Sequence, residues 1–112
     1  MLLTKLKTIV EYIDSKGRNP FRSWLLSIKD KRTRAIIDAR LTRVRLGNLG
    51  HTRSVGQGVM ELKIDFGPGY RVYFGEDGDT IIVLLMGGSK KTQSTDINVA
   101  KESWIDYKRA QS

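Results

Sequence analysis

The stretch that most constrains this chain is residues 60–96, MELKIDFGPGYRVYFGEDGDTIIVLLMGGSKKTQSTD. Leu62, Ile64 and Phe66 alternate with Glu61, Lys63 and Asp65, and Tyr70, Val72 and Phe74 alternate with Arg71 and Tyr73. A period of two marks half-buried strands. Gly67-Pro68-Gly69 supplies the first turn, because proline fixes φ and glycine tolerates φ > 0. Asp77-Gly78 is a hairpin signal, and it leads into IIVLLM, which is apolar on both parities as a central strand is. If the apolar set faces the core, Lys63, Arg71 and Tyr73 face away from it, sharing one surface across adjacent strands. Lys90 and Lys91 leave the last strand at its end and can reach the same surface.

The flanking residues supply helices to cover such a sheet. Residues 5–13 are rich in β-branched and aromatic side chains and predict a first strand, although their apolar residues occupy both parities. Asn19 and Pro20 form a helix start, and Phe21, Trp24, Leu25 and Ile28 give the stripe of a short amphipathic helix. Asp30 caps a second helix running to about Leu46, with Gly47 placed to end it. Its buried stripe is Ile37, Leu41 and Val44, bordered by Arg40 and Arg43 on one side and by Arg34 and Arg45 on the other. Residues 47–58, with four glycines, read as a loop carrying His51 and Arg53. After Lys91, Ser94 or Thr95 caps a last helix whose apolar face is Ile97, Ala100, Trp104 and Tyr107. The predicted order is β-α-α-β-β-β-α, an α+β architecture, and 112 residues suit one domain, residues 1–112.

Composition narrows the chemistry. Residues 1–53 carry 13 Lys/Arg against 4 Asp/Glu, while residues 54–112 carry 7 against 8. A basic half favours a polyanionic partner, because lysine and arginine displace counterions from phosphates. Without cysteine there is no disulfide or thiolate site, and a single histidine rules out a histidine-based metal cluster. No metal or other cofactor is therefore expected. GGSKKT lacks the P-loop spacing, no Ser/His/Asp or HExxH arrangement exists, and Glu61 and Asp65 read as ion-pair partners of neighbouring lysines. No apolar run approaches the ~20 residues of a membrane helix and the N-terminus lacks a leader's apolar core, so a cytoplasmic protein without a membrane partner is expected. The chemistry left open is phosphodiester cleavage in RNA, whose ribose 2′-OH is a built-in nucleophile. Arginine suits the charge that builds on phosphorus, and clustered lysines shift one another toward proton transfer.

The segments ELKIDFGPGYRVYF and IIVLLMGGSKKTQSTDI, with Asn19-Pro20-Phe21 and Trp104, resemble the RelE/ParE toxin superfamily of toxin–antitoxin modules, in particular its HigB-like branch. The resemblance implies a RelE-like fold: a small antiparallel sheet, two N-terminal helices packed on one side and a C-terminal helix. It also implies a metal-independent, ribosome-dependent mRNA endoribonuclease that inhibits translation and is neutralised by an antitoxin of helix-turn-helix type. By motif, Arg71, Lys63, Lys90 and Lys91 are the catalytic candidates; Arg40, Arg43, Arg53, Tyr73 and Gln93 are candidate RNA contacts. Where some relatives carry a tyrosine or histidine near the C-terminal helix, this chain has Ile97, which leaves lysine, Tyr73 or His51 for proton transfer. The superfamily also contains gyrase inhibitors, so a ParE-like inhibitor is the alternative, as is a nucleic-acid-binding module without activity.

Overall fold

The computed structural model describes residues 5–112. Five strands, β1 (Thr8–Glu11), β2 (Thr52–Gly56), β3 (Val59–Ile64), β4 (Tyr70–Asp77) and β5 (Ile81–Ser89), form one sheet in the order β1-β5-β4-β3-β2. Helices α1 (Pro20–Ser27) and α2 (Lys31–Arg45) intervene between β1 and β2, and a short 3-10 turn at Lys90–Thr92 leads into α3 (Gln93–Gln111). The α+β architecture is as expected. β2 through β5 are antiparallel neighbours, whereas β1 returns beside β5 in parallel. No helix among the described residues is long and apolar enough to cross a membrane.

The helix starts are chemically explicit. Asn19 Oδ1 accepts from the Arg22 N–H at 2.9 Å with Pro20 in the first turn, and Asp30 accepts from the Arg32 N–H at 3.1 Å and the Thr33 hydroxyl at 2.8 Å. Both caps satisfy a backbone N–H that helix geometry leaves without an internal partner. α3 begins earlier than its sequence suggests. Ser94 and Thr95 lie inside it, and Ser89 caps the preceding 3-10 turn by accepting from the Lys91 N–H.

Segment 47–58, read from its glycines as a loop, contains β2. Gly56, Gln57 and Gly58 all take positive φ (99°, 55° and 83°), forming a tight turn that folds β2 back on β3 with Arg53 opposite Glu61. Gly56, at the end of the strand, and Gly58 make the turn, and the β-branched Thr52 and Val55 belong to the strand.

The largest departure concerns the second face of the sheet. On the first face, Leu62, Ile64, Val72, Phe74, Ile82 and Leu84 pack with Phe21, Leu25, Ile37, Leu41 and Val44 of α1 and α2. On the second, Val59, Tyr73, Val83 and Leu85 pack with Tyr12 and with Ala100 and Trp104 of α3. The sheet is therefore covered on both sides, which explains why residues 5–13 are apolar on both parities: Ile9 packs on one core and Tyr12 belongs to the other. Tyr73, expected on an open polar surface, is wholly buried.

Glycines permit this sandwich. A Cβ on Gly75 would lie 2.5 Å from the Trp104 ring, one on Gly87 would overlap the Trp24 ring of α1, and one on Gly88 would overlap the Asp96 carboxylate at the start of α3. The paired glycines thus admit one helix on each face. A bulge between Tyr73/Met86 and Phe74/Leu84 re-phases β5, so that Gly88 comes opposite Arg71. We predict that Gly87→Ala costs about 1–3 kcal/mol, the usual penalty of overpacking a filled interior, measured by chemical denaturation. Unchanged stability would show that α1 can retreat from the sheet.

Candidate functional site

α3 covers only part of the second face, and the uncovered part is where β2, β3 and β4 present polar residues. The register arranges these in two transverse rows. In the first, the His51 carbonyl accepts from the Lys63 N–H at 3.0 Å, Lys63 stands opposite Arg71, and Arg71 opposite Gly88. In the second, Arg53 stands opposite Glu61 and Glu61 opposite Tyr73. Adjacent strands lie about 4.8 Å apart, so side chains within a row reach a common ligand.

Two adjoining depressions open over these rows. One of about 260 Å³ is lined by His51, Thr52, Arg53, Glu61, Lys63, Arg71 and Gln93. The other, about 340 Å³, is lined by Lys63, Asp65, Phe66, Gly67, Pro68, Gly69, Arg71 and Lys90. Lys63 and Arg71 belong to both, and together they form the ridge between them.

Arg71 is only 7% exposed. Its Nη1 donates to the Gly69 carbonyl at 3.3 Å, while its buried Nε has no hydrogen-bond partner among the described residues and lies 3.8 Å from Glu61 Oε2. A buried guanidinium with unused donors is costly unless an anion completes it. Lys63 is half-exposed and lies 3.6 Å from Asp65, a solvent-screened pair that contributes little to stability.

Glu61 lies at the centre of the second row and is 3% exposed. It accepts from Arg53 Nε at 2.8 Å, from Arg53 Nη2 at 3.4 Å and from Gln93 Nε2 at 2.7 Å. Burial pushes its pKa up, but the hydrogen bonds from Arg53 and Gln93 and the charges of Arg53 and Arg71 outweigh burial and hold it below the usual carboxylate value. A carboxylate with a depressed folded-state pKa contributes stability that is fully present above its unfolded value, about 4.3, and is lost as pH falls through the lower folded value. Acid unfolding of the wild type should therefore have a contribution on the low-pH side of about 4.3 that Glu61→Gln removes. Superimposable acid limbs for the two proteins would contradict it.

The other candidates fall on different ground. Lys90 lines the second depression, whereas exposed Lys91 lines neither of the two. Gln93, at the start of α3, is committed to Glu61. Arg40 is buried, with Nη2 donating to the Leu49 carbonyl at 2.8 Å and its guanidinium seated against Gly50, whose φ is +63°. Burial, then the neighbouring Arg43 charge, lowers its pKa. Arg40 clamps the loop after α2 and is no surface contact. Arg43 is exposed, but α2 packs on the opposite face of the sheet from the two rows. Ile97 fills the second core instead of offering a polar group.

Tyr73 lies opposite Glu61 in the second row but inside the second core, lining neither depression. Its hydroxyl is buried with no hydrogen-bond partner among the described residues, and burial, then the Glu61 and Asp96 charges, push its pKa far above the ordinary phenol value. It stays protonated and closed to solvent, so it cannot stack a base or exchange protons with a substrate. Tyr73→Phe should leave the melting temperature unchanged or raise it, since it deletes a buried polar atom that pairs with nothing among the described residues. A clear loss of stability would reveal a partner for the hydroxyl.

Sequence reasoning set Glu61 aside as an ion-pair partner; it does pair, but with arginines on both neighbouring strands instead of a lysine. His51 stood alone in its presumed loop. Recognising β2 would have joined both to the site, because its register puts His51 across from Lys63 and Arg53 across from Glu61.

The α+β fold is consistent with a RelE-like one, and comparison with known proteins places the chain in a family. The model of the family described as phage derived protein Gp49-like (DUF891) matches residues 23–103, which includes every residue of the two rows. The chain belongs to this Gp49-like family, which is related to the toxins of toxin–antitoxin modules. An uncharacterized protein of Haemophilus influenzae strain Rd is 47% identical over 89 residues, covering 80% of this chain and 90% of that relative.

Proposed function

We propose that the chain is the toxin of a HigB-like toxin–antitoxin module, a metal-independent endoribonuclease that cuts mRNA on the ribosome in the cytoplasm. The observation that carries this reading is the row His51, Lys63, Arg71, in which a buried arginine with unused donors stands beside a lysine at the base of an open cleft. Arg71 and Lys63 bind the non-bridging oxygens of the scissile phosphate and stabilise the charge that builds there. The 2′-hydroxyl gives its proton to the His51 imidazole as the O2′–P bond forms. The P–O5′ bond breaks, and the departing 5′-oxygen takes a proton from the Lys63 ammonium, leaving a 2′,3′-cyclic phosphate and a 5′-hydroxyl. Lys90 and Lys91 extend the positive field along the RNA, and Arg53 borders the first depression. A helix-turn-helix antitoxin that covers this cleft would neutralise the protein.

Arg71→Ala should abolish growth inhibition on induction and lower the cleavage rate by about 10²–10³, the usual cost of removing one donor to a developing oxyanion, with the melting temperature retained. Primer extension on cellular mRNA after induction reads the cleavage directly. Intact mRNA together with a supercoiling defect would replace this reading by gyrase inhibition. Binding to RNA without toxicity would reduce it to a nucleic-acid-binding module.

A further inference from the structure

Two carboxylates are buried among the described residues, Glu61 and Asp96. Asp96 lies in the first turn of α3, accepts from the Thr92 hydroxyl at 2.5 Å, and is favoured there by the helix dipole. Glu61 has no such local reason. Burying a charge in a sheet is expensive, and an apolar side chain of similar volume often serves stability as well. The two donors that Glu61 engages, Arg53 and Gln93, and the Arg71 guanidinium that it faces at 3.8 Å, all line the first depression or its ridge, and they come from β2, α3 and β4.

We infer that Glu61 is the positioning residue of the site, fixing the directions in which Arg71 and Arg53 present their guanidinium groups to a phosphodiester. The inference rests on the phosphate-binding reading of the cleft proposed above. A guanidinium is a planar fork with five N–H donors, and recognition of phosphate depends on how that plane is turned. Arg71 has its Nε turned toward Glu61 and its Nη1 toward the Gly69 carbonyl. Nη2 has no protein partner among the described residues and is left for the cleft. Arg53 is held through Nε, with a longer second contact through Nη2. Gln93 braces the other side of the carboxylate, so that α3, which closes the rest of this face, also fixes its rotamer.

This role has a signature that a purely structural one lacks. Glu61 is a negative charge inside an anion-binding site, so removing the charge strengthens the attraction for RNA while releasing the arginines. Binding and turnover should then move in opposite directions. The test uses the full chain and Glu61→Gln, which keeps the shape and the ability to accept the Gln93 bond. Affinity for an uncleavable 2′-O-methyl RNA oligonucleotide is measured by fluorescence anisotropy, cleavage with the matching ribose RNA on ribosomes, and the Arg53 and Arg71 Nε–H groups by 15N–1H NMR. The inference expects affinity equal to or up to several-fold tighter than wild type at low salt, cleavage at least tenfold slower, and loss or collapse of the two Nε–H signals to the free-arginine position, with the variant still melting cooperatively and folded at the assay temperature. Cleavage and affinity that fall together, in step with the folded fraction, overturn it, as do Nε–H signals unchanged by the substitution. If the wild type binds the oligonucleotide but cuts no RNA, the nuclease reading fails on its own, and the NMR comparison still decides the role of Glu61.

Discussion

The structure depends on the close approach of α3 to the second face of the sheet. That approach requires bare backbone at Gly75 and Gly88, against which Trp104 and Asp96 pack. It buries Tyr73, Val83 and Leu85 in a second core, and it leaves uncovered the start of β2 and the ends of β3 and β4 that carry Lys63 and Arg71. The cleft is what remains uncovered. Its walls are set by where the helix ends, and its floor by the residues that strand pairing delivers there.

Electrostatics then gives that cleft its character. Lys63, Arg71 and Arg53 converge from three strands, and a single buried carboxylate, Glu61, meets two of them. The site is cationic on balance and organised by its buried anion. Arg71 gains a counter-charge from behind without having its donors exhausted, which suits a group that must bind charge appearing during a reaction. Membership of the Gp49-like family agrees with a toxin built on this fold, and the geometry shows which of its basic residues open on one cleft.

Much of this was legible in the sequence because strand periodicity and turn chemistry are local. Leu62 to Phe66, Tyr70 to Phe74, the Asp77-Gly78 turn and the Asn19-Pro20 helix start all express backbone rules within a few residues. The first core and the pairing of Lys63 with Arg71 followed from these. Non-local packing was not legible. Period two assigns Tyr73 to the face away from the first core, but nothing near it in the chain says that a helix beginning 20 residues later covers that face. Arg40 likewise sits on the border of its helix stripe, and only the distant Leu49 carbonyl and Gly50 turn it inward. β2 was hidden because its turn glycines dominate a short segment. With β2 went the register that reveals Glu61 and His51 as neighbours of the basic residues.

The central claim is that the ridge formed by Lys63 and Arg71 binds a phosphodiester. It is tested most directly by a crystal structure of the protein with a 2′-O-methyl dinucleotide. The account predicts the bridging phosphate over that ridge, with its oxygens about 2.7–3.0 Å from Arg71 and Lys63 nitrogens and Glu61 still holding Arg53 or Arg71. A dinucleotide bound on another surface, such as the α2 face around Arg43, with the cleft empty would contradict it.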